Sequence, residues 1–159
     1  MRLTDILSAD RVAVQPSDRE LSGKTAALGV LATLLAKAVG ADAGAVQVVL
    51  EEREGLQSTG IGEGVAIPHG FMGELPTQVA ALLVVRDGVA FDAIDNKPAR
   101  IILGVVGPKK GMNAQVEHLR ILARVSRVLR EASLREKIVA ATDAAAVYQL
   151  VSDADDRVP

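Results

Sequence analysis

Three side chains in this sequence have the chemistry to handle a phosphoryl group: His69, His118 and Arg53. A neutral imidazole, with a pKa near ~6.5, keeps a lone pair for attack on phosphorus at cell pH. A guanidinium pairs with phosphoryl oxygens through two parallel hydrogen bonds, and a second imidazole donates one more. Such a transfer runs on positioning and electrostatic stabilisation, so this scheme requires no metal and no cofactor. The chain contains two histidines and no cysteine. Disulfides, thiolate metal sites and cysteine nucleophiles are therefore excluded. The rival use of the histidines is a metal site completed by a carboxylate. They lie 49 positions apart, which matches no local ligand spacing, so folding alone would have to assemble it.

Each residue also has a plainer reading. His69 follows Pro68 at the end of a short strand-like run and precedes Gly70, which suits a ring presented at a sheet edge and equally a surface-loop histidine. His118 falls one position off an apolar stripe and, alone, reads as a solvent-facing or boundary residue. Arg53 alone is a surface charge near a helix end, where a cation is favourable. Upstream of His69 runs Ser58-Thr59-Gly60-Ile61-Gly62-Glu63-Gly64. Three glycines in seven positions preclude a stable helix and leave backbone N–H groups open to an anion. A tight turn needs the same glycines for geometry alone. Gly60, Gly62 and Gly64 form GxGxG ahead of a strand, so they are not the dinucleotide fingerprint, and no P-loop string occurs.

The elements that must position these groups are legible from periodicity. A helix after Ser22 carries Leu28, Leu31, Leu35 and Ala38 on one face and stops at Gly40. Asp42 caps a second helix, with Val46, Val49 and Leu50 as its stripe and Arg53 near its end. Val79 to Arg86 and Ala99 to Val106 are nearly continuous apolar runs, as in strands covered by helices on both faces. A long helix from about Asn113 turns Val116, Leu119, Leu122, Val125 and Leu129 inward. Ser133-Leu134-Arg135-Glu136 has the form of a capping box. Thr142 or Asp143 opens a last helix. Residues 1–152 read as one α/β domain, and 153–159 as an acidic, frayed tail.

Composition narrows the function further. The 159 residues carry 18 Lys plus Arg against 20 Asp plus Glu, without the basic excess of a dedicated nucleic-acid binder. Aromatics make up 2%, too few for base-stacking platforms. No apolar run approaches the ~20 residues of a membrane span, and the N-terminus lacks the pattern of a signal peptide. The expectation is a cytoplasmic protein without membrane insertion.

The string Arg53 to Gly70, REGLQSTGIGEGVAIPHG, resembles the active-site segment of enzyme IIA domains of the fructose/mannitol type. These belong to the bacterial phosphoenolpyruvate-dependent phosphotransferase system. The resemblance extends to Phe91-Asp92-Ala93-Ile94-Asp95-Asn96-Lys97-Pro98 and to Glu117-His118-Leu119, and covers essentially the whole chain. Within the family it is strongest to the nitrogen-regulatory enzyme IIA. The resemblance implies a mixed β-sheet flanked by helices on both faces, and a stand-alone phosphoryl carrier acting mainly in regulation. His69 then accepts the phosphoryl group from a histidine-containing phosphocarrier protein, and His118 and Arg53 assist. Thr59 with Gly60, Gly62 and Gly64 line the phosphoryl pocket. Partners would be that phosphocarrier and either regulatory protein targets or a IIB component. The sequence departs from the pattern at Gly107 to Gln115, which carries the basic pair Lys109-Lys110, and at Gln57, where relatives often carry glycine.

Overall fold

A computed structural model describes residues 1–16, 21–73 and 75–159. Its six strands are β1 (Val12–Gln15), β2 (Gly60–Gly62), β3 (Val65–Ala66), β4 (His69–Phe71), β5 (Val79–Val89) and β6 (Ala99–Gly107). Its five helices are α1 (Lys24–Val39), α2 (Ala43–Leu56), α3 (Ala114–Val128), α4 (Ala132–Ala140) and α5 (Ala144–Arg157). The sheet order is β1-β5-β6-β3-β2, with β4 also paired to β6. β5 and β6 run antiparallel. β1 joins β5, and β3 and β4 join β6, in parallel. The sheet is mixed, and the chain folds as a single α/β domain.

The two apolar strands are buried on both faces. Ala81, Leu83 and Val85 of β5 and Ile102 and Val106 of β6 pack under α1 and α2. Leu82 and Val84, with Ile101, Leu103 and Val105, face α3, α4 and α5. This is the period-two alternation of a strand whose two sides are both core. Helices therefore cover both faces, as the continuous apolar runs predict.

Helix ends follow local chemistry. Asp42 and Asp143 accept the backbone N–H of Ala45 and Ala146, each at 2.8 Å, as N-caps do. Gly40 closes α1 in the left-handed conformation, φ 75°.

Several expectations fail here. α1 begins after Gly23 without a side-chain cap from Ser22, and Ala38 is exposed. The Ser133 capping box does not form, because α4 begins two residues earlier, at Ala132 after Glu131. The tail is not frayed from Asp153: α5 continues to Arg157, and Asp155 is fully buried. In α3 the buried stripe is Ala114, His118, Ile121, Val125 and Val128, while Val116 and Leu119 are exposed. Val116 and Leu119, read as core, face solvent, while Val125 and Leu129 are buried as read and His118 takes a core position.

Candidate functional site

His69 is placed by a break in the line of strands beside β6. β3 pairs with Ile101 and Ile102, and β4 resumes opposite Val105 to Gly107. Ile67 and Pro68 span the gap, and the Pro68 carbonyl still accepts from Val105 N–H at 2.9 Å. Proline fits here because the ladder asks no N–H of it. The ring of His69 is half-buried and lines a hollow between α2 and α3.

Its orientation is fixed by one bond. His69 Nδ1 lies 2.7 Å from the carbonyl oxygen of Ile67. A carbonyl only accepts, so Nδ1 carries the proton and Nε2 keeps the lone pair. Burial lowers the His69 pKa, and the Arg53 charge adds to this, against the opposing effects of the Ile67 carbonyl and Glu54.

Gly70 is required by the helix beside it, not by loop flexibility. A Cβ there would stand 2.5 Å from Val49 Cγ1 of α2. Gly70→Ala is expected to push α2 off β4 and cost about 1–3 kcal/mol. A shift of less than half that in urea-melt stability contradicts this packing.

His118, on α3, is 2% exposed. Its ring centre lies 5.5 Å from that of His69 and 4.4 Å from that of Phe71. Phe71 sits two residues after His69 and so on the same side of β4. His118 Nδ1 is 2.7 Å from Gln78 Oε1, whereas His118 Nε2 is buried with no partner among the described residues. Burial, with a smaller contribution from His69, lowers the His118 pKa to about 4. An unfolded histidine protonates near its ordinary value of 6.5, while the folded one resists until about pH 4. Its contribution to stability is thus complete above pH 6.5 and drains away through this window. The loss is on the order of 3 kcal/mol. Urea melts at stepped pH check this, and a midpoint unchanged between neutral pH and the lower limit would contradict it.

Arg53 lines the same hollow as His69 and His118, together with Glu52, Leu56 and Lys109. Its Nη1 donates to the Gln57 carbonyl at 2.8 Å, which draws the guanidinium back along the end of α2. The three residues picked from sequence are therefore together. Leu56 and Leu119, 83% and 67% exposed, flank them.

The glycine loop plays a different part from the one its composition suggested. Thr59 does line a hollow shared with Arg53 and His69, but its side chain is taken. Buried Glu54 accepts from Thr59 N–H at 3.0 Å and from Thr59 Oγ1 at 2.5 Å. Lys24 Nζ, 2.9 Å from Glu54 and 3.0 Å from Asp92, balances that carboxylate. Gly60, Gly62 and Gly64 line neither hollow on His69. The N–H groups of Gly60 and Glu63 go to Ser58 Oγ and Asp95 Oδ2. These two N–H groups are therefore taken by the chain's own oxygens and are not offered to an anion. Glu63 and Gly64, at φ 57° and 78°, make the two-residue turn between β2 and β3.

Sequence reasoning missed Phe71, Gln78 and Glu54. The two-residue spacing from His69 could have found Phe71. A glutamine directly before a strand gives no such signal. Among the described residues, no group of three His, Cys, Asp or Glu is arranged to hold a metal ion. No helix among them is long and apolar enough to cross a membrane.

The chain is similar over most of its length to known proteins. A nitrogen regulatory protein of Bradyrhizobium diazoefficiens is 32% identical over 152 residues, spanning 96% of this chain and 95% of that protein. A fructose-specific EIIA component of the phosphotransferase system from Haloferax volcanii is 34% identical over 104 residues, or 65% of this chain and 66% of that protein. The crystal structure of the nitrogen regulatory protein IIA-Ntr from Neisseria meningitidis superposes with a TM-score of 0.82 at 30% identity, over 92% of this chain and 97% of that one. Residues 6–154 match the family model of the phosphoenolpyruvate-dependent sugar phosphotransferase system, EIIA 2. The chain belongs to that family.

Proposed function

We propose that this chain accepts a phosphoryl group on His69 Nε2 from a phosphocarrier protein and works mainly as a regulator. One observation carries the reading: the Ile67 carbonyl holds the neutral ring with its lone pair on Nε2, beside His118 and Arg53. In the step, a bond forms between Nε2 and phosphorus. The phosphorus–nitrogen bond of the donor breaks, and its electron pair returns to the donor. Arg53 balances charge on the phosphoryl oxygens, and His118 supports the product. Thr59 acts through the wall it builds, with Glu54 holding it in place. Phosphorylation brings about two negative charges, by analogy with other phosphorylated side chains. The exposed Leu56 and Leu119 beside the ring offer a partner an apolar face whose electrostatics change with that charge.

Incubation with phosphoenolpyruvate, enzyme I and the cognate phosphocarrier should place acid-labile phosphate on the protein. Label no greater than in a mixture lacking the phosphocarrier would overturn the reading. The likeness to a fructose-specific component favours a second reading, in which phosphate passes on to a IIB protein. Rapid loss of label to an added IIB protein supports it, and retained label supports the regulatory role.

A further inference from the structure

Gln78 precedes β5 and is fully buried. Its Oε1 meets His118 Nδ1 at 2.7 Å, and its Nε2 has no partner. Gly107, at the end of β6, gives the amide its room, since a Cβ there would collide with Oε1. The amide can be used in two ways that differ chemically. With Oε1 toward the ring, it accepts from Nδ1–H and leaves His118 Nε2 a bare lone pair. Turned round, its N–H would donate to Nδ1 and leave Nε2–H ready to donate. The structure holds the first arrangement. In that state Nε2 points no proton at His69, and its buried, unpartnered lone pair would repel a phosphoryl oxygen.

We infer that Gln78 is a positioning residue that makes phosphorylation of His69 take up one proton from solvent, held at His118 Nε2. This rests on the phosphoryl-carrier reading above. The balance is simple. The phosphoryl group arrives on His69 Nε2, one solvent proton joins the free lone pair of His118, and the imidazolium donates from Nε2 to a phosphoryl oxygen. Its Nδ1–H stays on Gln78 Oε1, which a cation holds more strongly than a neutral ring does. Before phosphorylation, burial keeps His118 neutral. Among the described residues, the charged groups around the hollow are Glu52 and Arg53 from α2 and Lys109 after β6, with His69 on β4, and none of them partners His118 Nε2. The incoming dianion supplies the attraction that holds a proton there.

The test is nitrogen NMR of histidine-labelled protein, before and after phosphorylation by the phosphocarrier system. The free protein should show His118 protonated at Nδ1 alone. The phosphorylated protein should show it protonated at both nitrogens at neutral pH, with one proton drawn from a weakly buffered solution per phosphate bound. Gln78→Glu should protonate His118 fully before phosphorylation, so labelling persists while proton uptake disappears. Gln78→Leu should lower phosphoryl occupancy about tenfold. Gly107→Ala, which displaces the same amide from another strand, should do likewise. A His118 that carries Nε2–H in the free protein, or stays neutral with phosphate in place, overturns the inference and leaves the carrier reading standing. A wild-type protein that takes no phosphate at all overturns both.

Discussion

The His69→Ala variant is expected to take up no acid-labile phosphate, with labelling falling to background while the fold remains intact. His118 cannot stand in for it. That ring is 2% exposed, packed against Phe71, and bound through Nδ1 to Gln78, so a phosphorus atom on a partner protein cannot reach it. His69 is half-buried and opens into the hollow between α2 and α3. Loss of the ring removes the nucleophile itself, whereas loss of Arg53 or His118 removes only stabilisation of charge. The measurement is radiolabel from phosphoenolpyruvate per mole of folded protein. A thermal melt of the variant shows that the label was lost for chemical reasons. Label in His69→Ala equal to wild type would place the acceptor elsewhere.

The second large effect is structural. Asp155→Ala is expected to cost the fold about 3–5 kcal/mol. Arg124 Nε meets Asp155 Oδ1 at 2.6 Å, with 8% and 0% of the two side chains exposed. The same guanidinium donates to the backbone carbonyls of Asp155, Val158 and Pro159. Asp155 Oδ2 accepts from Thr4 N–H at 3.1 Å. One carboxylate therefore ties α3, the end of α5 and the N-terminal turn together. Truncation leaves Arg124 charged and buried without its partner, which is worse than losing both. An Arg124→Met, Asp155→Leu double variant should recover part of the loss, and a single variant within 1 kcal/mol of wild type would contradict the account. The pair also sets an acid limit. Burial pushes the Asp155 carboxyl upward, but Arg124 and the backbone N–H groups of Thr4 and Leu3 outweigh it and hold the pKa below 3.8. A depressed folded pKa contributes stability above the unfolded value, lost as pH falls through the folded one. Acid unfolding of wild type should therefore show a component below pH 3.8 that is missing in Asp155→Ala.

Much of this was legible in the sequence, and the failures share a cause. Continuous apolar runs in β5 and β6 announced two-sided burial because strands with helices on both faces need no polar side. Asp42 and Asp143 announced helix starts because capping is local. α3 defeated the same reasoning. Val116 and Leu119 look like core but border the site, where an exposed apolar surface suits a partner, and a histidine occupies the buried stripe. The glycine loop left a tight turn and an anion cradle both open in the sequence; the structure makes it a turn, with the Gly60 N–H on nearby Ser58 and the Glu63 N–H on Asp95, 32 residues away and invisible to local reasoning. The C-terminal acidic run looked frayed because its counter-charge, Arg124, lies 31 residues away. Gln78 was invisible because its importance rests on Gly107 and His118, both distant in the chain. The three groups with intrinsic phosphoryl chemistry, by contrast, were found by residue type and did converge.

The most direct measurement of the central claim is phosphorus–nitrogen coupling in protein labelled at histidine nitrogen and phosphorylated by the phosphocarrier system. The account predicts coupling of phosphorus to Nε2 of His69, with Nδ1 still protonated and bound to the Ile67 carbonyl. Coupling to Nδ1 of His69, or to either nitrogen of His118, would contradict it.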